Sequence, residues 1–118
     1  MKILLAEDDS ATRELAARTL KSDGHEVTEV ADGIAALDAL EASDSFDLLF
    51  ADVDMPGHDG LTVAKKAREG NPDIGVLLMS AHDSQLARSS EIGGGKVEVL
   101  LKPFALEALR ATVAKLSS

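Results

Sequence analysis

Residues 48–60 read LLFADVDMPGHDG, and this stretch decides the fold class. Residues 47–51 form a nearly continuous apolar run, the pattern of a central parallel strand covered by helices on both faces. The run ends abruptly at Asp52. Pro56, Gly57 and Gly60 punctuate the following loop, and Leu61, Ala64 and Ala67 then recur at helical spacing as far as Gly70, with Pro72 just beyond. Strand, loop and helix in this order make up one half of a βαβ unit.

The same alternation extends outward in both directions, and five strand and helix pairs can be counted. Lys2–Ala6 is the first short apolar run. A helix follows that Asp9 or Ser10 caps, with Leu15, Ala16 and Leu20 facing inward and a stop at Gly24. Glu26–Val30 alternates as a weaker strand, and Asp32 opens a helix with Ile34, Leu37 and Leu40 on one face. Residues 74–79 are another continuous apolar strand. The fourth helix is the least marked, because residues 84–92 offer only Leu86, Ala87 and Ile92 before Gly93, Gly94 and Gly95. Val97–Leu101 gives the fifth strand, and Leu106, Leu109, Val113 and Leu116 mark a closing amphipathic helix. The expected class is α/β, with five alternating β/α units and a doubly wound parallel sheet.

Length and charge set the outer limits. The 118 residues suit one domain spanning residues 1–118, with no room for an output domain. The formal charge of −9 argues against direct nucleic-acid binding and against an anionic membrane surface. With no cysteine there is no disulfide frame and no thiolate metal site. No apolar run approaches the roughly 20 residues of a membrane span, so a soluble, cytoplasmic protein is expected. The acids are unevenly placed: residues 1–60 hold 15 acids and 4 bases, residues 61–118 hold 6 acids and 8 bases.

In a doubly wound sheet, ligand sites form outside the C-terminal ends of the strands. Strand one ends in Glu7, Asp8 and Asp9, strand three in Asp52, strand four in Ser80, and strand five in Lys102 and Pro103. Carboxylates converging on one rim repel one another unless a cation joins them. A hard divalent ion with oxygen ligands resolves the repulsion, and Mg²⁺ suits one or two carboxylates shared with phosphate oxygens. A carboxylate at such a rim can then accept a phosphoryl group, with Ser80 and Lys102 binding the remaining oxygens. Each residue alone has an ordinary explanation as a cap, loop or surface residue; four matching strand ends together do not.

With those residues in view, the chain resembles the receiver domains of two-component response regulators over its whole length. Residues 3–9 (ILLAEDD) are similar to the family's first strand and acid pair, and residues 48–60 to its phosphorylation segment. Met79, Ser80 and Ala81 resemble its hydroxyl motif, and Lys102, Pro103 and Phe104 its lysine motif. The resemblance implies the flavodoxin-like strand order 2-1-3-4-5, phosphorylation at Asp52 and metal binding by Glu7, Asp8 and Asp52 with the main-chain carbonyl of Asp54. Asp9 falls outside the pair. Mg²⁺ is the implied metal, with Mn²⁺ able to substitute. Ser80 would bond a phosphoryl oxygen, Lys102 would pair with its charge, and Phe104 would anchor packing. The Lys102-Pro103 bond would be cis, as in the family.

Val99 stands where many relatives carry a switching aromatic residue, so an aromatic rotamer switch is not expected. Asp54, Ala81, His82 and Val99 are the implied determinants of switching and signal lifetime; Asp54 and His82 flank the path of the hydrolytic water. The implied partners are a sensor histidine kinase or a histidine phosphotransfer protein, read out by a helix 4, strand 5 and helix 5 face in a monomer or weak dimer. The cycle is phosphoryl acceptance with self-dephosphorylation, without enzymatic turnover of a separate substrate. The downstream target is not legible.

Three rival readings are weaker. Asp52-Val53-Asp54 also resembles the nucleophile and acid pair of haloacid-dehalogenase-type phosphatases, but that family places its nucleophile on the first core strand and its metal acids after the lysine. Asp52, Asp54 and Gly57 fit three positions of a calcium loop, yet Pro56 and Val63 stand at two of its other positions, the second of which takes a bidentate Glu. A degenerate receiver is disfavoured because every chemical position is filled.

Overall fold

The computed structural model describes residues 1–43 and 45–117. Five strands alternate with helices in chain order. They are β1 (Lys2–Ala6), α1 (Ser10–Ser22), β2 (Glu26–Val30), α2 (Gly33–Ala42), β3 (Leu48–Asp52), α3 (Gly60–Gly70), β4 (Gly75–Ser80), α4 (Asp83–Ala87), β5 (Val97–Leu101) and α5 (Leu106–Ser117). A single 3₁₀ turn, Arg88–Glu91, follows α4. All pairings are parallel, in the order β2-β1-β3-β4-β5. No helix among the described residues is long and apolar enough to cross a membrane.

The continuous apolar runs divide by the period of two that every strand obeys. Ile3, Leu5, Leu48, Phe50, Leu77 and Met79 face α1 and α5, while Leu4, Leu49, Ala51, Val76 and Leu78 face the α2 and α3 side. Phe50 is the largest side chain of the first layer, and Phe104 meets it in a tilted ring contact at 6.2 Å. The aligned register sets Ala6 beside Ala51, Asp52 beside Met79 and Ser80 beside Leu101, so the residues ending these strands share one rim.

The helices start where side chains replace missing partners for backbone N–H groups. Asp9, Asp32 and Asp59 cap α1, α2 and α3 by accepting from Thr12, Ala35 and Thr62. Asp59→Ala is expected to cost about 1 kcal/mol, read as a lower midpoint in urea unfolding with an unchanged slope. Gly60 serves close approach: a Cβ there would lie 2.4 Å from the Asp52 carbonyl oxygen. That contact seats the start of α3 directly on the end of β3.

Two expectations fail. Leu15 is 48% exposed, because the buried arc of α1 is carried by Ala16, Ala17 and Leu20 and leaves Leu15 at its margin. Leu15 instead lines an apolar groove of about 390 Å³ with Phe104 and Leu106. Ile34 is 56% exposed, since it lies in the first turn of α2 against Gly57 of the β3–α3 loop and outside the core. The weak fourth helix is indeed short. Leu86 and Ile92 are buried while Ala87 is exposed, too little apolar surface to hold a longer helix in place.

Candidate functional site

The rim is built from four strand ends. Glu7, directly after β1, is fully buried, and its N–H donates to the Val30 carbonyl at 3.1 Å. Asp8 is exposed beside it. Asp9 accepts from the Thr12 N–H and hydroxyl at 2.9 and 2.6 Å, which pulls its pKa below the ordinary carboxylate range. Asp9 is therefore a cap, separate from the acid pair.

Asp52 closes β3 and is 3% exposed. Its Oδ1 accepts from the Asp54 N–H at 2.8 Å, and its Oδ2 accepts from Lys102 Nζ at 2.5 Å. The same Nζ donates to Glu7 Oε1 at 2.5 Å. One ammonium thus lies between two buried carboxyls. Lys102 reaches them from the end of β5, where the Lys102-Pro103 bond is cis. Burial alone would lower the Lys102 pKa, but its bonds to Asp52 and Glu7 outweigh that and hold it above the usual value.

Two carboxyls sharing one cation cannot both ionise freely. Glu7 is the one driven to keep its proton: burial first, then the hydrogen bond to Asp52, pushes its pKa up to about 8. Its second oxygen, Oε2, is buried without a hydrogen-bond partner among the described residues. Glu7, Asp8 and Asp52 each present an oxygen within 4.8 Å of the others. An all-oxygen set with an orphaned carboxylate atom suits a small hard cation such as Mg²⁺, which would replace the proton and complete the partnering of Glu7.

The remaining candidates fall around this cluster. Ser80 closes β4, fully buried, and its hydroxyl donates to Asp54 Oδ2 at 2.8 Å. The His82 N–H in turn donates to Ser80 Oγ at 3.1 Å. Ala81 and His82 are exposed, and His82 is the residue before α4. Val99 lies on β5 beside Leu78 and is 40% exposed. Sequence reasoning missed Arg13, whose Nη1 donates to the Glu7 carbonyl at 2.8 Å and ties α1 to the acid-bearing loop. Its only signal was a base one turn inside a helix that starts beside three acids. A groove of about 500 Å³ lies between α2 and α3 and contains none of these residues.

A family model described as the response regulator receiver domain matches residues 3–114. The response regulator MprA of Mycobacterium avium is 42% identical over 111 residues, covering 94% of this chain and 48% of that protein. The chain therefore spans about half the length of the curated relatives it matches. The receiver domain of the hybrid histidine kinase CckA superposes with a TM-score of 0.81 at 36% identity, covering all of both chains. The response regulator TrrA of Thermotoga maritima, solved in complex with Mg²⁺ and BeF, gives a TM-score of 0.85 at 30% identity over 98% of this chain and 97% of that one.

Proposed function

Because the chain belongs to the response regulator receiver domain family, we propose that it takes a phosphoryl group from a phosphohistidine onto Asp52 and signals by the change that follows. The observation that carries this reading is Asp52 itself. It is a buried carboxylate ending a central strand, held on one oxygen by a backbone N–H and on the other by an ammonium, beside an acid with an orphaned oxygen.

In this reading an Asp52 carboxylate oxygen bonds to phosphorus while the bond from phosphorus to the histidine nitrogen breaks, and that nitrogen keeps the electron pair. Lys102 exchanges a carboxylate for phosphoryl oxygens as its partner, and Ser80 donates to another phosphoryl oxygen. Glu7, Asp8, Asp52 and the Asp54 carbonyl would hold Mg²⁺, which supplies charge neutralisation between the acids and the incoming phosphate; Mn²⁺ would serve the same donors. Water later attacks phosphorus, releasing inorganic phosphate and restoring Asp52. Asp54, Ala81, His82 and Val99 are the positions that tune switching and this hydrolysis.

The donor is a sensor histidine kinase or a histidine phosphotransfer protein. The responding face is formed by α4, β5 and α5, in a cytoplasmic unit of residues 1–118 that is a monomer or weak dimer and touches neither nucleic acid nor membrane. The phosphatase reading is not favoured, because the acid pair Glu7 and Asp8 precedes the acceptor Asp52 in the chain. Incubation with acetyl phosphate and Mg²⁺ is expected to add one phosphoryl mass to the intact protein, and EDTA to prevent it. A protein that gains no mass under these conditions would overturn the proposal.

A further inference from the structure

The Ser80 hydroxyl carries one proton and can give it to one acceptor. In this structure the acceptor is Asp54 Oδ2, at 2.8 Å. Ser80 is fully buried, so a hydroxyl left without an acceptor would be costly there, whereas Asp54 is exposed and can exchange its partner for water. Ser80 Oγ itself accepts the His82 N–H at 3.1 Å, and His82 immediately precedes α4. A chain of two hydrogen bonds therefore runs from the β3–α3 loop through Ser80 to the start of α4.

Building on the receiver reading, we propose that Asp54 is a positioning residue that latches Ser80 in the resting state. Its carboxylate holds the hydroxyl proton that a phosphoryl oxygen on Asp52 must take. Switching is then an exchange of acceptors. The Ser80 proton leaves Asp54 for the phosphoryl group, the hydroxyl turns, and the bond to the His82 N–H is released or redirected. No covalent bond of Ser80 changes. Removing the Asp54 side chain deprives the resting state of its acceptor while the phosphorylated state keeps its own. The balance shifts toward the phosphorylated-like form.

The latch differs from simple charge repulsion between Asp54 and a phosphoryl group. Repulsion ends with the charge, so Asn and Ala at position 54 would behave alike, and the gain would be the same with or without the Ser80 hydroxyl. A latch needs an acceptor and a donor: Asn retains a weaker acceptor, and Ser80→Ala removes the donor.

The test is a double-mutant cycle on the affinity for beryllofluoride in saturating Mg²⁺, followed by calorimetry. Asp54→Ala is expected to bind about fivefold tighter than wild type, with Asp54→Asn between the two. In a Ser80→Ala background the Asp54→Ala gain should disappear. The His82 amide resonance of Asp54→Ala, without beryllofluoride, should move part of the way toward its position in the loaded wild type. An equal gain in both backgrounds, or Asn equal to Ala, overturns the latch in favour of repulsion, and an unchanged affinity in Asp54→Ala overturns it outright. Should wild type itself fail to bind beryllofluoride with Mg²⁺, the receiver reading falls and the latch with it.

Discussion

Asp52→Asn is expected to take up no phosphoryl group from acetyl phosphate, where wild type gains one phosphoryl mass. The amide nitrogen and oxygen of Asn are poor nucleophiles, and the other acids at the rim are differently placed. Glu7 is buried with a proton-holding tendency, and Asp9 is consumed by its bonds to Thr12. Asp8 is exposed, and among the described residues no ammonium is hydrogen-bonded to it as Lys102 is to Asp52. Intact-mass spectrometry checks the result, and labelling of the variant would place the acceptor on another residue. The same substitution carries a second expectation for the metal-free protein. Asp52 is one of the causes that raise the Glu7 pKa, so its neutral replacement leaves Lys102 to Glu7 alone and returns the Glu7 pKa toward the ordinary carboxyl range. Losing the acceptor should therefore leave the fold as stable as before, or more so, at neutral pH in the absence of metal.

Mg²⁺ is expected to raise the melting temperature, and by more at pH 8 than at pH 6. The sign follows from Glu7. Its pKa is raised from 4.5 to about 8 in the folded chain, so ionising it disfavours the fold. The metal-free protein accordingly loses stability as pH climbs through that interval, the reverse of the usual behaviour of a paired carboxylate. A cation bound by ionised Glu7, Asp8 and Asp52 offsets that loss, and below pH 8 it must first displace the Glu7 proton. At about a hundredfold excess of Mg²⁺ over its dissociation constant the stabilisation is about 2.7 kcal/mol, or roughly 10 °C for a domain of this size. Glu7→Gln should abolish most of the Mg²⁺ gain and flatten the pH dependence; Asp8→Asn should reduce the gain and leave the Glu7 titration in place. Thermal unfolding at the two pH values, with and without Mg²⁺, measures all of these. An equal Mg²⁺ gain at both would exclude Glu7 as the titrating ligand.

Much of the fold was legible because continuous apolar runs and helical spacing are local properties. The run ending at Asp52 became β3, and the caps Asp9 and Asp32 stand where the sequence puts helix starts. Leu15 and Ile34 were misjudged for a physical reason. Leu15 lies at the margin of the buried arc of α1 and Ile34 in the first turn of α2 against the β3–α3 loop, and periodicity carries no information about how wide a helix's buried arc is or where it begins. Arg13 was invisible as a contributor because its partner is a backbone carbonyl, which any residue possesses.

By itself the sequence determined the alternation of five strands and helices, the two-sided covering of β3 and β4, and the identity of the groups at each strand end. The strand order came from motif resemblance, since periodicity alone does not state which strands are neighbours. Only the tertiary structure decided how those groups share protons and charge. It brought Lys102 onto Glu7, 95 residues earlier, and onto Asp52, leaving one ammonium for two carboxyls and Glu7 Oε2 with no partner among the described residues. It also directed the Ser80 hydroxyl's hydrogen bond to Asp54. Hydrogen bonds and pKa values depend on separations of a few tenths of an ångström and on the exclusion of water, quantities set by packing across the whole chain rather than by spacing along it.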